Sequence, residues 1–306
     1  MLTVLVVMAA LLMDRLLGEP RRWHPLVGFG HLAEGLRQRL YAKTPGRQRL
    51  CGVLAVTLLI VPFAVLAASL RWTPVPWLFE LVLLYLALGW RSLDEHALRV
   101  AAALHHADTD QARQQVSLLV SRDTETMESA DIARASVESV LENSNDAVFG
   151  TLFWFVLAGA PGAVVHRLAN TLDAMWGYRH PPYRYFGWAA ARFDDLLNYV
   201  PARLTALSYA VTGNGAAALR CWRDQASTWK SPNAGAVMAA GAGSLGVRLG
   251  GRAGYHGQIE DRPVLGCGRD PAAGDIDRAL RHVRRGVILW LAVLTGAALL
   301  LTSLRL

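Results

Sequence analysis

The chain has 306 residues, 53% of them hydrophobic and 18% charged, with a net charge of +7 at neutral pH. The apolar residues are clustered rather than evenly patterned, which argues against an ordinary soluble domain. The basic excess flanks the apolar runs and lacks the interleaved aromatics of a nucleic-acid surface. Cys51, Cys221 and Cys267 are too scattered for a disulfide framework or a thiolate zinc site.

In chain order, residues 2–17 read as a first membrane helix, followed by a loop with Gly18-Glu19-Pro20 and His24-Pro25 and a cationic helix near 31–42. Residues 51–70 carry no charge and are long enough to cross the hydrocarbon. A tight turn at 71–76 with two prolines leads to a third span at 76–91, in which Glu80 is expected near the interface. Residues 92–147 are helical in pattern, and Ser121-Arg122-Asp123-Thr124 reads as a helix start. The apolar stretch 148–165 is interrupted by Gly159-Ala160-Pro161-Gly162; the interruption favours a half-crossing or buried segment over one unbroken span.

Residues 167–285 are too polar for a membrane, and the small-residue tract from Pro232 to Gly257 is expected to form a tightly packed Gly/Ala helix. Residues 286–304 are again long and uncharged, with Arg281, Arg284 and Arg285 before them. Basic flanks mark cytoplasmic ends, so 21–49, 92–147 and the approach to the last helix are expected inside. The predicted fold is all-α and polytopic, with about four full transmembrane helices, one broken or re-entrant segment and a helical cytoplasmic region. Its parts are residues 1–91, a mainly cytoplasmic 92–285 and the final helix 286–306.

Three constellations could carry chemistry. Arg134, Glu138, Glu142 and Asp146 fall four apart, beside Asp131. Carboxylates on one stripe suit Mg²⁺, and i,i+4 ion pairs on a solvated face would look the same, so spacing alone does not choose. Asp194, Asp195, Asn198 and Arg203, preceded by Asn170, Asp173, Tyr178, Arg184 and Tyr185, suit either a ligand rich in amides and phosphate or a hydrogen-bond network between helices. Ser231-Pro232-Asn233-Ala234-Gly235 places a proline-led turn at a helix start, where backbone N–H groups can meet phosphate. Asp14, Glu19 and His24 lie at the cytoplasmic end of the first helix, and His24 has no metal-ligand spacing. P-loop, HExxH and GxSxG signatures are absent.

Six stretches together carry a likeness: DRLLGEP with HP at 14–25, SRDT at 121–124, ARASVESVLENSNDAVFGTLFW at 133–154, GAPGAVVHRLANTLDAMWGY at 159–178, YRYFGWAAARFDDLLNYVPARLTAL at 183–207 and SPNAG at 231–235. In order and wording the chain resembles the adenosylcobinamide-phosphate synthase family of cobalamin biosynthesis from about residue 14 to 265. It departs at 143–151, where the family often has a proline before Leu-Phe, a change expected to alter the helix entrance.

The resemblance implies an inner-membrane ligase with its active region facing the cytoplasm, joining adenosylcobyric acid to aminopropanol or its O-phosphate. ATP would be the co-substrate, the corrinoid a substrate and Mg²⁺ the cofactor. It further implies metal or amine positioning by Glu138, Glu142 and Asp146, with Arg134 beside them. Arg122, with its neighbour Asp123, Arg134 and Arg184 would meet phosphates, and Asp194, Asp195 and Asn198 would meet corrinoid amides or a second metal. Ser231 and Asn233 would line a nucleotide or aminoalcohol phosphate. Asp14, Glu19, His24, Asn143, Asn170, Asp173, Tyr178, Tyr185 and Arg203 complete the substrate-binding set. The lipid bilayer, neighbouring cobalamin-assembly enzymes and a homo-oligomer are the partners; nucleic acid is not. The rival readings are a noncatalytic membrane sensor or scaffold, and a transporter.

Overall fold

The computed structural model describes residues 1–20, 24–178, 180–255 and 257–304; residues 21–23 of the basic 21–49 stretch lie outside them. The chain is a largely helical membrane protein. Among the described residues, three helical segments are long and apolar enough to cross a bilayer: Pro45–Trp72, Ser129–Trp176 and Ala273–Ser303. It packs as two compact units, Met1–Gly89 with Asp146–Asn198, and Trp90–Asn145 with Tyr199–Leu306. This partition follows packing, whereas the linear division at 91 and 285 follows the expected membrane boundary.

The first unit contains α1 (Leu2–Leu17), α2 (Pro25–Leu40), α3 (Pro45–Ser69), α4 (Pro76–Ala87), α8 (Gly150–Trp176), α9 (Tyr183–Phe186) and the first part of α10 (Trp188–Thr212). The third span expected at 76–91 is shorter than predicted. Helix α4 has 12 residues and breaks at Leu88, so it reaches roughly 18 Å at 1.5 Å per residue, less than the hydrocarbon thickness. It packs instead against α1 and α8. The core brings Phe29 of α2 and Leu59 of α3 against Leu168, Leu172 and Trp176 of α8 and Phe186 of α9.

Gly52 lets α3 approach α9, because a Cβ there would land on the Phe186 carbonyl oxygen. Gly52→Ala is therefore expected to cost about 1–3 kcal/mol through overpacking against backbone, read as a lower thermal midpoint in detergent.

The expected interruption near 159 is present as a kink. Gly159 has φ 69° within α8, which only glycine adopts without a Cβ penalty. The carbonyl of Ala158 accepts a hydrogen bond from the Arg71 guanidinium. A Cβ on Gly159 would stand 3.3 Å from Glu80 Oε1. The break is tolerated because protein satisfies the freed backbone group.

The second unit contains α5 (Trp90–His105), α6 (Thr109–Val116), α7 (Ser129–Ser144), the rest of α10, α11 (Gly215–Gln225), α12 (Pro232–Leu245), strands β1 (Arg248–Tyr255) and β2 (Gln258–Gly266), and α13 (Ala273–Ser303). A π-helical turn at Asn145–Phe149 joins α7 to α8, at the helix entrance where the family resemblance departs.

Two expectations are corrected here. The Gly/Ala tract is helical only to Leu245: Gly246 ends α12 in the left-handed conformation. Beyond it β1 and β2 pair as an antiparallel hairpin, the only two strands among the described residues. Ser121–Thr124 is a loop, and the helix after it begins at Ser129.

Candidate functional site

In the first unit α1, α4 and α8 gather a set of charged groups. Gly18 turns the chain out of α1 with φ 69°, and Tyr85 Oη on α4 donates to the Gly18 carbonyl at 2.6 Å, so the loop carrying Glu19 is held in place. Gly89 donates its N–H to the Ala147 carbonyl at 3.2 Å. A Cβ built on Gly89 would lie 3.1 Å from Glu19 Oε1 and 3.4 Å from Arg167 Nη2, so the glycine leaves room for both groups. Arg167 faces the charges of Glu19, Asp146 and Asp14, and its Nε is buried without a hydrogen-bond partner among the described residues.

His24 caps α2, accepting the Leu26 N–H at Nδ1 over 3.2 Å. Its proton therefore sits on Nε2, which is buried and has no hydrogen-bond partner among the described residues. Burial lowers the His24 pKa, Arg167 adds to the effect and Glu19 opposes it. Gly89→Ala is expected to lower turnover several-fold with little change in melting temperature, since contacts of 3.1–3.4 Å shift side chains by tenths of an ångström and such displacement is felt in catalysis first. Parallel kinetic and melting measurements check it.

Around Asp146 the acidic groups accumulate. Burial raises the Asp194 carboxyl well above the usual carboxylate range, and Asp146, Asp173 and Asp195 raise it further. Asn198 Nδ2 donates to both Asp194 oxygens at 3.1 Å, the i,i+4 pair that the sequence places on one face. Asn198 Oδ1 then accepts from His166 Nε2 at 3.1 Å, leaving Nδ1 facing Thr151 Oγ1 at 3.4 Å. With Asn198 2% exposed and His166 fully buried, this chain of contacts fixes how Asp194 is presented. Asn170 lies on the α8 face of His166 and Asp173. Asp195 pairs with Arg192 at 3.9 Å.

The second unit uses the other expected residues differently. Glu138 is 2% exposed. It accepts from Arg122, from Arg262 Nη1 at 2.9 Å and Nη2 at 3.2 Å, and from the Gly250 N–H at 2.7 Å. Arg262 also lies over the Trp229 ring, 5.4 Å from its centre. Asp123 Oδ2 accepts the Gly257 N–H at 2.8 Å, and the Asp123 N–H donates to the Gly254 carbonyl. The SRDT loop and α7 together clasp the hairpin.

Arg134 pairs with Asp131 at 2.8 Å and Asp270 at 3.6 Å; Asn143 donates to Ser139 Oγ; Glu142 is half-buried. Among the described residues, no group of three or more His, Cys, Asp or Glu is placed to hold a metal.

Ser231 caps α12, its Oγ accepting the Ala234 N–H, and Asn233 Oδ1 accepts from Arg203, whose guanidinium stacks 3.7 Å from the Tyr199 ring centre. A cavity of about 430 Å³ lies beside them, lined by Arg203, Trp222, Arg223, Ser227 and Pro232 among others. Tyr178, Arg184 and Tyr185 stand elsewhere in the first unit: Tyr178 packs near His180 and Tyr183, and Arg184 lies over Tyr185.

Residues 7–283 match the CobD/Cbib protein family. The chain belongs to that family. It is 57% identical over 304 residues to a cobalamin biosynthesis protein CobD of Chromobacterium violaceum, covering 96% of each chain. It is 39% identical to a CobD of Mycobacterium tuberculosis, covering 97% of this chain and 94% of that one. Identity to a cobalamin biosynthesis protein CbiB of Salmonella typhimurium is 35%, covering 99% and 98%. No solved structure matches the chain.

Within this family member, the sequence reading missed His166, Arg167, Tyr85 and Gly89. The available signal was an ionisable pair at the end of an apolar stretch, which is expensive unless it serves a site.

Proposed function

We propose that this chain is the cobalamin-pathway ligase that condenses adenosylcobyric acid with (R)-1-amino-2-propanol or its O-phosphate, using ATP and Mg²⁺ at the cytoplasmic face of the bacterial inner membrane. Family membership supports the pathway. The observation that carries the chemistry is the gathering of Asp173 and Asp194 around Asp146, which also faces Arg167, in one unit.

Hard carboxylate oxygens fit Mg²⁺, which commonly takes one or two protein carboxylates and completes its shell with water and phosphate oxygens; a dedicated three-ligand cage is not required. Asp146 and Asp173 would hold the ion, which when bound offsets phosphate charge. This replaces Glu138 in that role, since its oxygens are already engaged by two guanidiniums and a backbone N–H.

Arg167 would meet a phosphate of ATP with its Nε–H, which has no hydrogen-bond partner among the described residues. The corrinoid carboxylate attacks the γ-phosphorus, giving an acyl phosphate and ADP. The amine nitrogen then attacks the acyl carbon, the C–O bond to phosphate breaks, and the nitrogen loses a proton. Asp194, held by Asn198 and of raised proton affinity, is the acceptor for that proton. Ser231, Asn233 and Arg203 would hold a phosphate in the second unit.

Purified protein in detergent, given adenosylcobyric acid, the aminoalcohol phosphate, ATP and Mg²⁺, should form amide and ADP in equal amounts. Folded protein that yields neither would move the reading to a noncatalytic membrane role.

A further inference from the structure

From the chain entering α3, we infer that the first unit binds the headgroup of an anionic glycerophospholipid at Arg49 and Arg184. Between Gly35 and Leu50 the sequence has five basic residues, Arg37, Arg39, Lys43, Arg47 and Arg49, and no acidic one. Arg37 is engaged by Glu34. Arg49 is exposed, and its guanidinium carbon lies 5.7 Å from the ring centres of both Tyr185 and Trp188. Arg184 lies over the same tyrosine ring, 5.4 Å from its centre. Neither Arg49 nor Arg184 has a carboxylate partner among the described residues. Aromatic rings orient the two guanidiniums while leaving N–H edges without an anionic acceptor, and a phosphate accepts such edges in pairs.

What stands next to these cations selects the ligand. Immediately after Arg49, α3 becomes a membrane-length helix whose outward face carries Leu50, Leu54, Leu58 and Val65, with Leu50 71% exposed. Trp188 is 43% exposed beside Arg49, as interfacial tryptophans are. The guanidinium therefore sits where an apolar, lipid-facing helix meets water, which is the level of lipid phosphates. A free phosphate would satisfy the arginines and leave the leucines bare. A zwitterionic lipid would cover the leucines and bring its own cation to the arginines. A phosphodiester with net negative charge and acyl chains satisfies both.

The test uses full-length protein in neutral maltoside detergent, with phosphatidylglycerol, phosphatidylcholine or inorganic phosphate added, reading bound lipid by native mass spectrometry and the thermal midpoint. Phosphatidylglycerol should be retained at least fivefold more than phosphatidylcholine and should raise the midpoint by several degrees, with inorganic phosphate without effect. The Arg49→Gln/Arg184→Gln protein should lose that preference while Arg49→Lys keeps part of it; if the double variant does not fold, Arg49→Gln alone gives the readout. Equal retention of the two lipids, full retention by the glutamine variant, or an equal midpoint rise with inorganic phosphate would each overturn the assignment.

Discussion

Asp194→Asn is expected to raise the thermal midpoint of the ligand-free protein at pH 8 while lowering amide formation at least about 100-fold, the lower range for removing a positioned proton acceptor. The wild-type carboxyl has its pKa raised first by burial and then by Asp146 and Asp173, with Asn198 only partly compensating. A carboxyl with a raised folded-state pKa contributes stability that is full below its unfolded value, about 3.9, and is lost as pH rises through the folded value. Above that window the fold carries an ionised group it disfavours. Asparagine keeps the size and one acceptor for Asn198 and has no such loss. The stability gap between variant and wild type should therefore widen from pH 5 to pH 8, whereas a merely structural Asp194 would leave the variant less stable at every pH. Opposite movement of stability and activity is the signature of a strained functional group.

The same residues show what local sequence can reveal. Asp194 and Asn198 are four apart on one helix, so their contact follows from helical spacing. The kink at Gly159 follows from glycine and proline in an apolar run, although the partner that makes it tolerable, Arg71, is 87 residues away from the carbonyl it caps. Arg167 follows the apolar stretch 148–165 in sequence, and only the return of Glu19 and Gly89 to its side makes it part of a site. The hairpin was hidden for a different reason. Glycine-rich sequence between Gly246 and Gly257 has little helical or strand periodicity of its own, and its strands are fixed by long-range partners: Asp123, Glu138 and Arg262. A stripe of carboxylates four apart likewise predicts a shared face and says nothing about which members are already neutralised.

That distinction makes Glu138→Gln the sharper test of the second unit. The Arg122 and Arg262 side chains around Glu138 are 10% and 6% exposed, so the substitution leaves two buried guanidiniums without their counter-charge. Removing one partner of a buried ion pair costs about 3–5 kcal/mol, and the loss should appear as a lower denaturation midpoint with faster proteolysis within residues 248–266, where the clasp holds the hairpin. Added Mg²⁺ should not restore it, because the missing interaction is with arginine. Glu138→Gln combined with Arg262→Met should cost less than the sum of the two single changes, as expected for members of one network. A Glu138→Gln protein with wild-type stability and a weakened Mg²⁺ dependence would instead return the carboxylate to the metal role that its spacing first suggested. The geometry argues otherwise: a carboxylate receiving a backbone N–H and two guanidiniums has its lone pairs committed.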